Sequence, residues 1–326
     1  MNKLTSIELI NEGNKLCEKD PLKAQKLISM GIKINPEEST SYYNLGVALH
    51  MQKKPESAIK AYQISLNIEG GPIKSARKNL TQDLLLTGNY KEGWKEYEKQ
   101  LNSNENHFLK NHLGEKWPGL VRVNDLPKNI ILIAEQGFGD TIQFFRFAIL
   151  MEKLGVNVIV FCQREIISLL KEGNRINKIT HSLSETDLDI NTKWCPLLSM
   201  PSKFNINSLD IPFHKAYIKA DKEKSVKWEK LLIREPNHKL IGLSWQGNPK
   251  FERTIYTKGR SMPFNYLLTL QGIDNIEFIS LQKGEGQKQL HKNDELKLVK
   301  GHQYFDGSYD FTDTAAVIAQ CDLVIT

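Results

Sequence analysis

Two segments of the sequence combine glycines with charged side chains at a spacing that could support chemistry. The first, residues 135–141, reads Glu-Gln-Gly-Phe-Gly-Asp-Thr. Gly137 and Gly139, next to Gln136, allow a tight turn and a close approach of the backbone to a ligand. A helix that begins here adds free N–H groups and the positive end of its dipole. Asp140 then has two interpretations: a capping carboxylate for those N–H groups, or a general base at the mouth of a cleft.

This first loop departs from the two common phosphate-binding motifs. A dinucleotide-binding fingerprint needs a glycine where Ile142 stands, and a P-loop needs a lysine followed by serine or threonine. The missing fingerprint excludes an NAD-dependent enzyme. Glu135 remains a second carboxylate candidate for acid–base chemistry.

The second segment is a basic loop that follows the apolar run ending at Trp245. Four basic residues fall within eleven positions, with one acid among them: Lys250, Arg253, Lys258 and Arg260, with Glu252. Such a loop can clamp a diphosphate, because arginine offers paired donors to phosphate oxygens. The alternative is a solvated charged loop without a ligand.

The elements that must position these loops are strands that alternate with helices. Residues 130–134 form a continuous apolar run, which predicts a parallel strand buried on both faces, and residues 141–154 predict the helix that follows. A second series of this kind opens at Leu240. The alternation predicts two doubly wound parallel sheets, whose ligands bind beyond the carboxyl ends of the strands. We expect the first α/β domain over residues 129–234 and the second over 235–326.

The N-terminal part shows a different, repeating pattern. Tyr42, Leu45, Gly46, Ala58 and Tyr62 have the spacing of a tetratricopeptide repeat (TPR), and equivalent residues recur about 34 residues away on either side. Small residues at these positions let helices approach, and bulky ones fill the gaps. We therefore predict a TPR α-solenoid over residues 1–101, with a generic helical bundle as the alternative, and a linker over 102–128 that contains a docked Trp117.

Composition and charge exclude several classes of protein. The chain has 326 residues and a net charge of +6 that is spread evenly, so no basic face indicates nucleic acid as a partner. No apolar run approaches the length of a transmembrane helix, and no signal peptide is visible. The four cysteines stand far apart and predict buried free thiols in a reducing, cytoplasmic compartment. The histidines lack metal spacing, and Asp187 and Asp189 are interpreted as surface acids, so we expect neither metal nor cofactor.

Seven segments of the chain closely resemble bacterial tetratricopeptide-repeat glycosyltransferases, and more distantly heptosyltransferases of the family 9 type. The resemblance covers nearly the whole chain and rests on residues 88–94, 117–119, 134–146, 196–201, 241–249, 260–263 and 311–316. It implies a GT-B fold, in which two Rossmann-type domains enclose a cleft and the repeats precede them. Relatives continue past the last strand with a His-Leu-Ala-Gly segment that is absent here, so the second domain is expected to be incomplete.

The resemblance also implies roles for the residues of both loops. The base of related enzymes falls on Asp140, in the loop of Gln136, Gly137 and Gly139, and the phosphate-binding cation falls on Arg260, with Lys258 or Arg253 beside it. The nucleotide pocket is expected at Ser244, Gln246 and Asn248. The implied function is transfer of a sugar from a nucleotide sugar to an acceptor, a protein or peptide held in the groove of the TPR repeats. The alternative is a non-catalytic TPR adaptor that binds proteins and has a degenerate or truncated transferase domain.

Overall fold

The structure, a computed structural model, describes residues 5–102, 114–120, 125–184, 187, 191–207, 211–213, 215–252, 256, 259–290, 296–306 and 310–326. The chain forms two compact units: Met1–Glu135 with Ser184–Pro212, and Gln136–Leu183 with Phe213–Thr326. The domain limits expected from the sequence stay predictions. No helix in the described part of the chain is both long and apolar enough to cross a bilayer.

The described residues 5–102 of the first unit form six helices, which pack as three consecutive hairpins. These are α1 (Ser6–Leu16), α2 (Pro21–Ile34), α3 (Ser39–Met51), α4 (Pro55–Asn67), α5 (Ile73–Leu86) and α6 (Tyr90–Asn102). Local sequence explains where they begin. Thr5 and Glu8 form a capping box at α1, and Asp20 accepts a hydrogen bond from the Lys23 N–H at 3.0 Å before α2.

A close approach of the helices within a hairpin explains the small residues of the repeat. Gly46 on α3 lies against the ring of Tyr62 on α4, so a Cβ at position 46 would overlap that ring. Gly13 on α1 leaves room for Ile28 on α2 in the same way. Ala58 and Tyr62 are completely buried, as the repeat pattern predicts. The predicted helical repeat is therefore confirmed, and it resembles tetratricopeptide repeats.

Beyond the repeat, the described residues contain short parallel strands joined by helices. The strands are β1 (Asn129–Ile133), β2 (Asn157–Phe161), β3 (Lys178–Thr180), β4 (Lys193–Pro196), β5 (Lys239–Leu243), β6 (Ile276–Ser280) and β7 (Leu323–Ile325). The α-helices are α7 (Phe138–Lys153), α8 (Ile167–Lys171), α9 (Met200–Lys203), α10 (Lys222–Leu231), α11 (Gln287–Leu290), α12 (Gln303–Asp306) and α13 (Phe311–Ile318). Short 3₁₀ helices cover Arg164–Ile166, Leu197–Ser199, Pro249–Phe251, Phe264–Leu270 and Gly284–Gly286.

In the first unit, β1 and β4 pair in parallel, with Ile130 opposite Lys193. The connecting segment adds to this pair, because the Trp117 N–H donates to the Trp194 carbonyl at 2.8 Å and the Trp194 N–H donates to the Glu115 carbonyl at 3.2 Å. Trp117 is only 1% exposed, and its indole N–H donates to the Asp125 carbonyl at 3.1 Å. The predicted docking of Trp117 is thus confirmed.

In the second unit, β2 pairs in parallel with β3, and β5 lies between β6 and β7 in a parallel three-stranded sheet. Alternate residues of β5 and β6 enter two apolar clusters, so both strands are buried on both faces. One cluster includes Trp228, Leu240 and Ile279, and the other includes Trp245 and Phe278. The parallel strands predicted from the sequence are present, and the complete GT-B arrangement remains a proposal.

The four cysteines are free thiols. Burial raises the pKa of Cys17, Cys162 and Cys321 to about 11, and it raises the pKa of the fully buried Cys195 further. Such thiols stay protonated near neutral pH and are poor nucleophiles.

Candidate functional site

The first loop lies at the start of α7 in the second unit. Gln136, Gly137 and Gly139 are exposed, and nothing lies within 4 Å of the position that a Cβ on Gly139 would take. The Gln136 carbonyl accepts a hydrogen bond from the Gln163 side chain at 2.6 Å. Gln163 also accepts one from the Thr141 hydroxyl at 3.0 Å. Gln163 therefore holds the loop on one side, while the space around Gly139 stays open.

The Asp140 carboxylate caps its own helix. Its Oδ2 accepts a hydrogen bond from the Gly137 N–H at 3.2 Å, which satisfies one orphan donor of α7. A negative side chain at this position also interacts favourably with the positive end of the helix dipole. Among the described residues, the second oxygen, Oδ1, accepts no hydrogen bond. The capping interpretation is thus observed, and it leaves one carboxylate oxygen able to accept a proton.

Glu135 has a different environment, inside the first unit. Its carboxylate accepts hydrogen bonds from the Leu197 N–H at 3.1 Å, the Leu198 N–H at 3.2 Å and the Tyr97 hydroxyl at 3.2 Å. Burial raises the pKa of Glu135 to about 7, because the loss of water outweighs these hydrogen bonds, which favour the charged form. The side chain therefore joins α6 of the repeat to the residues that follow β4.

A second contact between the same elements lies beside Glu135. The Glu98 carboxylate on α6 pairs with Lys203 at 2.8 Å and with Lys116 at 3.4 Å. Burial opposes its ionisation, but the hydrogen bond and the charge of Lys203, with Lys116, outweigh burial and hold the pKa of Glu98 below its ordinary value. The last repeat helix is therefore tied to the α/β part of the first unit by two carboxylates.

The second loop follows β5 and is organised by one buried amide. The Gln282 side chain accepts hydrogen bonds from the Trp245 N–H at 2.9 Å and the Gln246 N–H at 2.8 Å, and it donates to the Gln246 carbonyl at 2.8 Å. Gln282 is 3% exposed. The sequence interpretation missed this residue, since a glutamine after a strand carries no distinctive pattern.

The other predicted residues of this loop are placed as follows. Ser244 is half-buried at the end of β5, and its N–H donates to the Ile325 carbonyl at 2.9 Å. Asn248 is exposed and accepts a hydrogen bond from the Lys250 N–H at 3.0 Å. Arg260 is exposed. Lys258 and Arg253 lie outside the described residues, as does Asp189. The interpretation of Asp187 as a surface acid is wrong, because Asp187 is buried and accepts hydrogen bonds from the N–H and the hydroxyl of Ser184 at 2.7 Å each.

The structure joins the first loop to a helix that sequence reasoning did not connect with it. The ring of Phe138 packs edge-on against Phe311, with centroids 5.3 Å apart, and Phe311 opens α13. The contacts of the second loop instead involve Gln282, Gln289 and Ser261. The two predicted loops thus belong to one compact unit but contact different neighbours.

A charged cluster at the start of α13 was also missed. Lys224 donates to Asp310 and Asp313, at 2.7 Å each, and Asp313 accepts a further hydrogen bond from the Trp228 indole at 2.9 Å. Burial opposes the charge on Lys224, but both carboxylates outweigh it and raise the pKa of this ammonium group. The cluster fixes α13 to α10, because Lys224 on α10 bridges Asp310 and Asp313 at the start of α13.

The cavities lined by described residues lie away from the predicted site residues. A cavity of about 610 Å³ lies at the amino ends of β5 and β6, where Glu235, His238 and Lys297 contribute to its lining. This is the opposite edge of the sheet from Ser244 and Gln246. Within the described ranges, no group of three or more histidine, cysteine or acidic side chains could hold a metal ion.

A smaller cavity, of about 360 Å³, lies on the last hairpin of the repeat. We call it the α5–α6 pocket; its lining residues are Ile73, Lys74, Arg77, Lys99 and Gln100. The carboxylate of Glu96 pairs with Arg77 and, at 2.5 Å, with Lys99. This pocket combines positive charge with an exposed isoleucine.

Comparison with known proteins finds similarity to solved repeat domains. No protein-family model matches the chain, and no curated protein matches it. The Sgt2 TPR domain from Aspergillus fumigatus matches at 22% identity over 30% of this chain and 66% of that chain, with a TM-score of 0.28. The first TPR domain of Spaghetti (RPAP3), bound to an HSP90 peptide, matches at 18% identity over 34% and 91%, with a TM-score of 0.29. MamA matches at 20% identity over 30% and 53%, with a TM-score of 0.28.

Proposed function

We propose that the N-terminal helical repeat binds a protein or peptide partner. The observation that supports this function is a row of exposed apolar side chains on α2: Leu22 is 60%, Met30 53% and Ile34 60% exposed. Spacings of eight and four residues place them on one face of the helix. Large apolar side chains grouped in this way on a surface are typical of interaction sites.

The architecture of the repeat is consistent with this function. Each hairpin buries one face against its neighbour, so the remaining faces form a continuous surface along the array. Exposed apolar side chains also occur on α1, α4 and α5, namely Ile7, Ile64, Ile73 and Leu86. A peptide can therefore gain apolar contact at several points along the repeat without a change in the packing of the helices.

Selection of peptides from a displayed library with the full chain tests this function. We expect enriched peptides that bind with micromolar dissociation constants and slow hydrogen exchange in α1–α6. Met30→Ser should weaken peptides that contact α2 by about fivefold or more, because it removes most of a large apolar contact. Ile318→Ser, at an exposed isoleucine of the second unit, is the matched control. Selected peptides that protect only the second unit would contradict the assignment.

As a second candidate function, we propose sugar transfer by the α/β part of the chain. Its support is the presence, within one unit, of an open glycine loop carrying Asp140 and of a turn held by Gln282 at the carboxyl end of β5. Ligands of parallel α/β sheets bind at such ends. The donor is a nucleotide sugar, and the acceptor is a hydroxyl or side chain presented by the partner of the repeat.

The proposed chemistry assigns one role to each group. Asp140 accepts the proton of the acceptor through its uncommitted oxygen. Arg260, with Lys258 or Arg253, stabilises the negative charge that develops on the departing diphosphate. Ser244, Gln246 and Asn248 contact the nucleotide. This assignment involves no metal and no cofactor.

Titration of the purified chain with UDP-glucose and GDP-glucose tests the donor site. We expect binding in the micromolar to millimolar range, weakened about tenfold by Arg260→Ala through the loss of a charge-assisted hydrogen bond. Arg164→Ala, at another exposed arginine of the second unit, should leave the affinity unchanged. Absence of any binding at several millimolar nucleotide sugar would rule out sugar transfer by this chain and leave peptide binding as its function.

A further inference from the structure

The α5–α6 pocket has more positive charge than its own carboxylates neutralise. Arg77 and Lys99 share the single carboxylate of Glu96. Lys74 has no acidic partner among the described residues. Three cations against one anion leave an excess of about two positive charges around the cavity, and like charges held this close favour an incoming anion.

The backbone of α5 adds to this positive potential. The helix begins at Ile73 without a side-chain cap, and its first turn contains no acidic residue. The N–H groups of a first turn and the positive end of the helix dipole both favour negative charge. Lys74 belongs to this turn and lines the same cavity. Lys74, which has no acidic partner among the described residues, and the uncapped helix start both favour an anion in this cavity.

Two further features restrict the kind of anion. Ile73, on the rim, is 52% exposed and offers an apolar contact next to the charges. A volume of about 360 Å³ is near the lower end of ligand cavities, which suits one or two side chains. The lining contains no aromatic ring, whereas single-stranded nucleic acids are held mainly by stacking on aromatic side chains. An acidic peptide is therefore favoured over a nucleic acid.

We propose that the α5–α6 pocket binds a carboxylate side chain of an acidic peptide segment, and that a neighbouring apolar side chain of the same segment packs on Ile73. This proposal rests on the proposed peptide binding by the repeat and identifies the class of partner. Lys74 supplies an unpaired ammonium group to the ligand carboxylate. Arg77 and Lys99 add positive charge to the pocket and keep their ion pairs with Glu96 when the ligand binds.

The test uses a fluorescein-labelled peptide of four Glu-Leu repeats and the full chain. Fluorescence anisotropy should show saturable binding that weakens as the salt concentration rises, because screening reduces the attraction between charges. A Lys-Leu peptide of the same length should not bind. Lys74→Glu should weaken binding of the acidic peptide about fivefold or more, and Lys74→Ala should weaken it less.

Lys230→Glu is the matched control, since Lys230 is an exposed lysine on α10 of the second unit, away from the repeat, and the change in net charge is the same. It should alter the affinity less than twofold. An equal loss in both charge-reversal variants would show non-specific attraction and overturn the proposal. Tighter binding of a single-stranded oligothymidylate than of the Glu-Leu peptide would overturn it in favour of nucleic acid.

The proposal and the underlying function fail in different ways. If peptides selected from the displayed library bind the repeat but are insensitive to Lys74→Glu, the α5–α6 pocket is not the site and peptide binding by the repeat stands. If no selected peptide protects α1–α6 from hydrogen exchange, both are wrong. Circular dichroism of Lys74→Glu should match the unmutated chain, because Lys74 is exposed and forms no ion pair with the part of the chain that the structure describes.

Discussion

Glu135→Gln is expected to remove most of the stability loss that the unmutated protein shows as the pH rises from about 5 to about 8. The folded state holds this carboxyl group with a pKa of about 7, well above the ordinary value of 4.5. A raised pKa means that the folded state binds the proton more tightly than the unfolded state. Its stabilising contribution is therefore complete below about pH 4.5 and is lost as the pH rises through 7.

The size of this effect follows from linkage. A pKa difference of about 2.5 units corresponds to about 2.5 kcal/mol of unfolding free energy between pH 5 and pH 8. Denaturation in urea at several pH values measures it as the difference between the variant and the unmutated chain. Over that interval the difference should move by about 2.5 kcal/mol in favour of glutamine, which has no charge to bury.

Glu115→Gln is the control for this prediction. Glu115 belongs to the same unit and is exposed, and the hydrogen bond and charge of Lys193 hold its pKa below the ordinary value. It is therefore ionised in both states above pH 5, and its removal should leave the pH dependence unchanged. A parallel pH dependence of Glu135→Gln and the unmutated chain would show that the Glu135 carboxyl is ionised throughout.

Tyr62→Ala is expected to lower the free energy of unfolding of the helical repeat by about 3–5 kcal/mol. Tyr62 is completely buried between α3 and α4, and its ring fills the space that Gly46 leaves. Its hydroxyl also accepts a hydrogen bond from Asn79 on α5 at 3.5 Å, so the change leaves a cavity in one hairpin and weakens a contact with the next. Urea denaturation followed by far-ultraviolet circular dichroism measures the loss.

Tyr266→Ala provides the matched comparison. Tyr266 is 59% exposed in the 3₁₀ helix Phe264–Leu270, so the same chemical change should cost less than about 1 kcal/mol. Similar losses for the two tyrosines would contradict the packing of α3 against α4. If Tyr62→Ala costs less than about 3 kcal/mol but still clearly more than Tyr266→Ala, neighbouring side chains have moved in to fill part of the cavity.

The helical repeat could be predicted from sequence because its determinants are local and periodic. Gly46 and Tyr62 lie sixteen positions apart in one hairpin, and the same pairing recurs as Gly13 with Ile28. Strand β1 could also be predicted, since a run of apolar residues indicates a strand buried on both faces whichever strands lie beside it. Both patterns lie within a short stretch of sequence, so they can be recognised without knowing which distant segments are in contact.

The polar contacts could not be predicted, because they depend on which distant segments meet. Glu135 was a carboxylate candidate, but its raised pKa comes from burial beside Leu197, Leu198 and Tyr97, which are 38 to 63 residues away. Gln282 holds a turn 36 and 37 residues earlier in the chain. The spacing of residues within one segment does not indicate contacts between segments this far apart in sequence.

The helix types of the second unit illustrate the same limit. The apolar pattern of residues 263–270 is typical of a helix, and the chain there forms a 3₁₀ helix, Phe264–Leu270, rather than an α-helix. Phe264 and Leu267 are both buried, and a separation of three residues aligns them on one face of a three-residue turn. The sequence indicates that these residues turn towards the core, whereas packing decides how tightly they wind.

The pairing of Trp117 with Trp194 sets a boundary for dividing this protein. Residues 115–117 cover the outer edge of β4 with main-chain hydrogen bonds. A shortened protein that starts after Trp117 would present that edge to solvent, and an uncovered edge strand invites intermolecular pairing. One that starts at residue 114 keeps the cover but loses Tyr97 and Glu98, the repeat side chains that anchor Glu135, Lys203 and Lys116. The repeat and the α/β part of the first unit therefore cannot be separated cleanly. A chimaera with a different repeat would have to keep α6 and residues 115–117 of this protein.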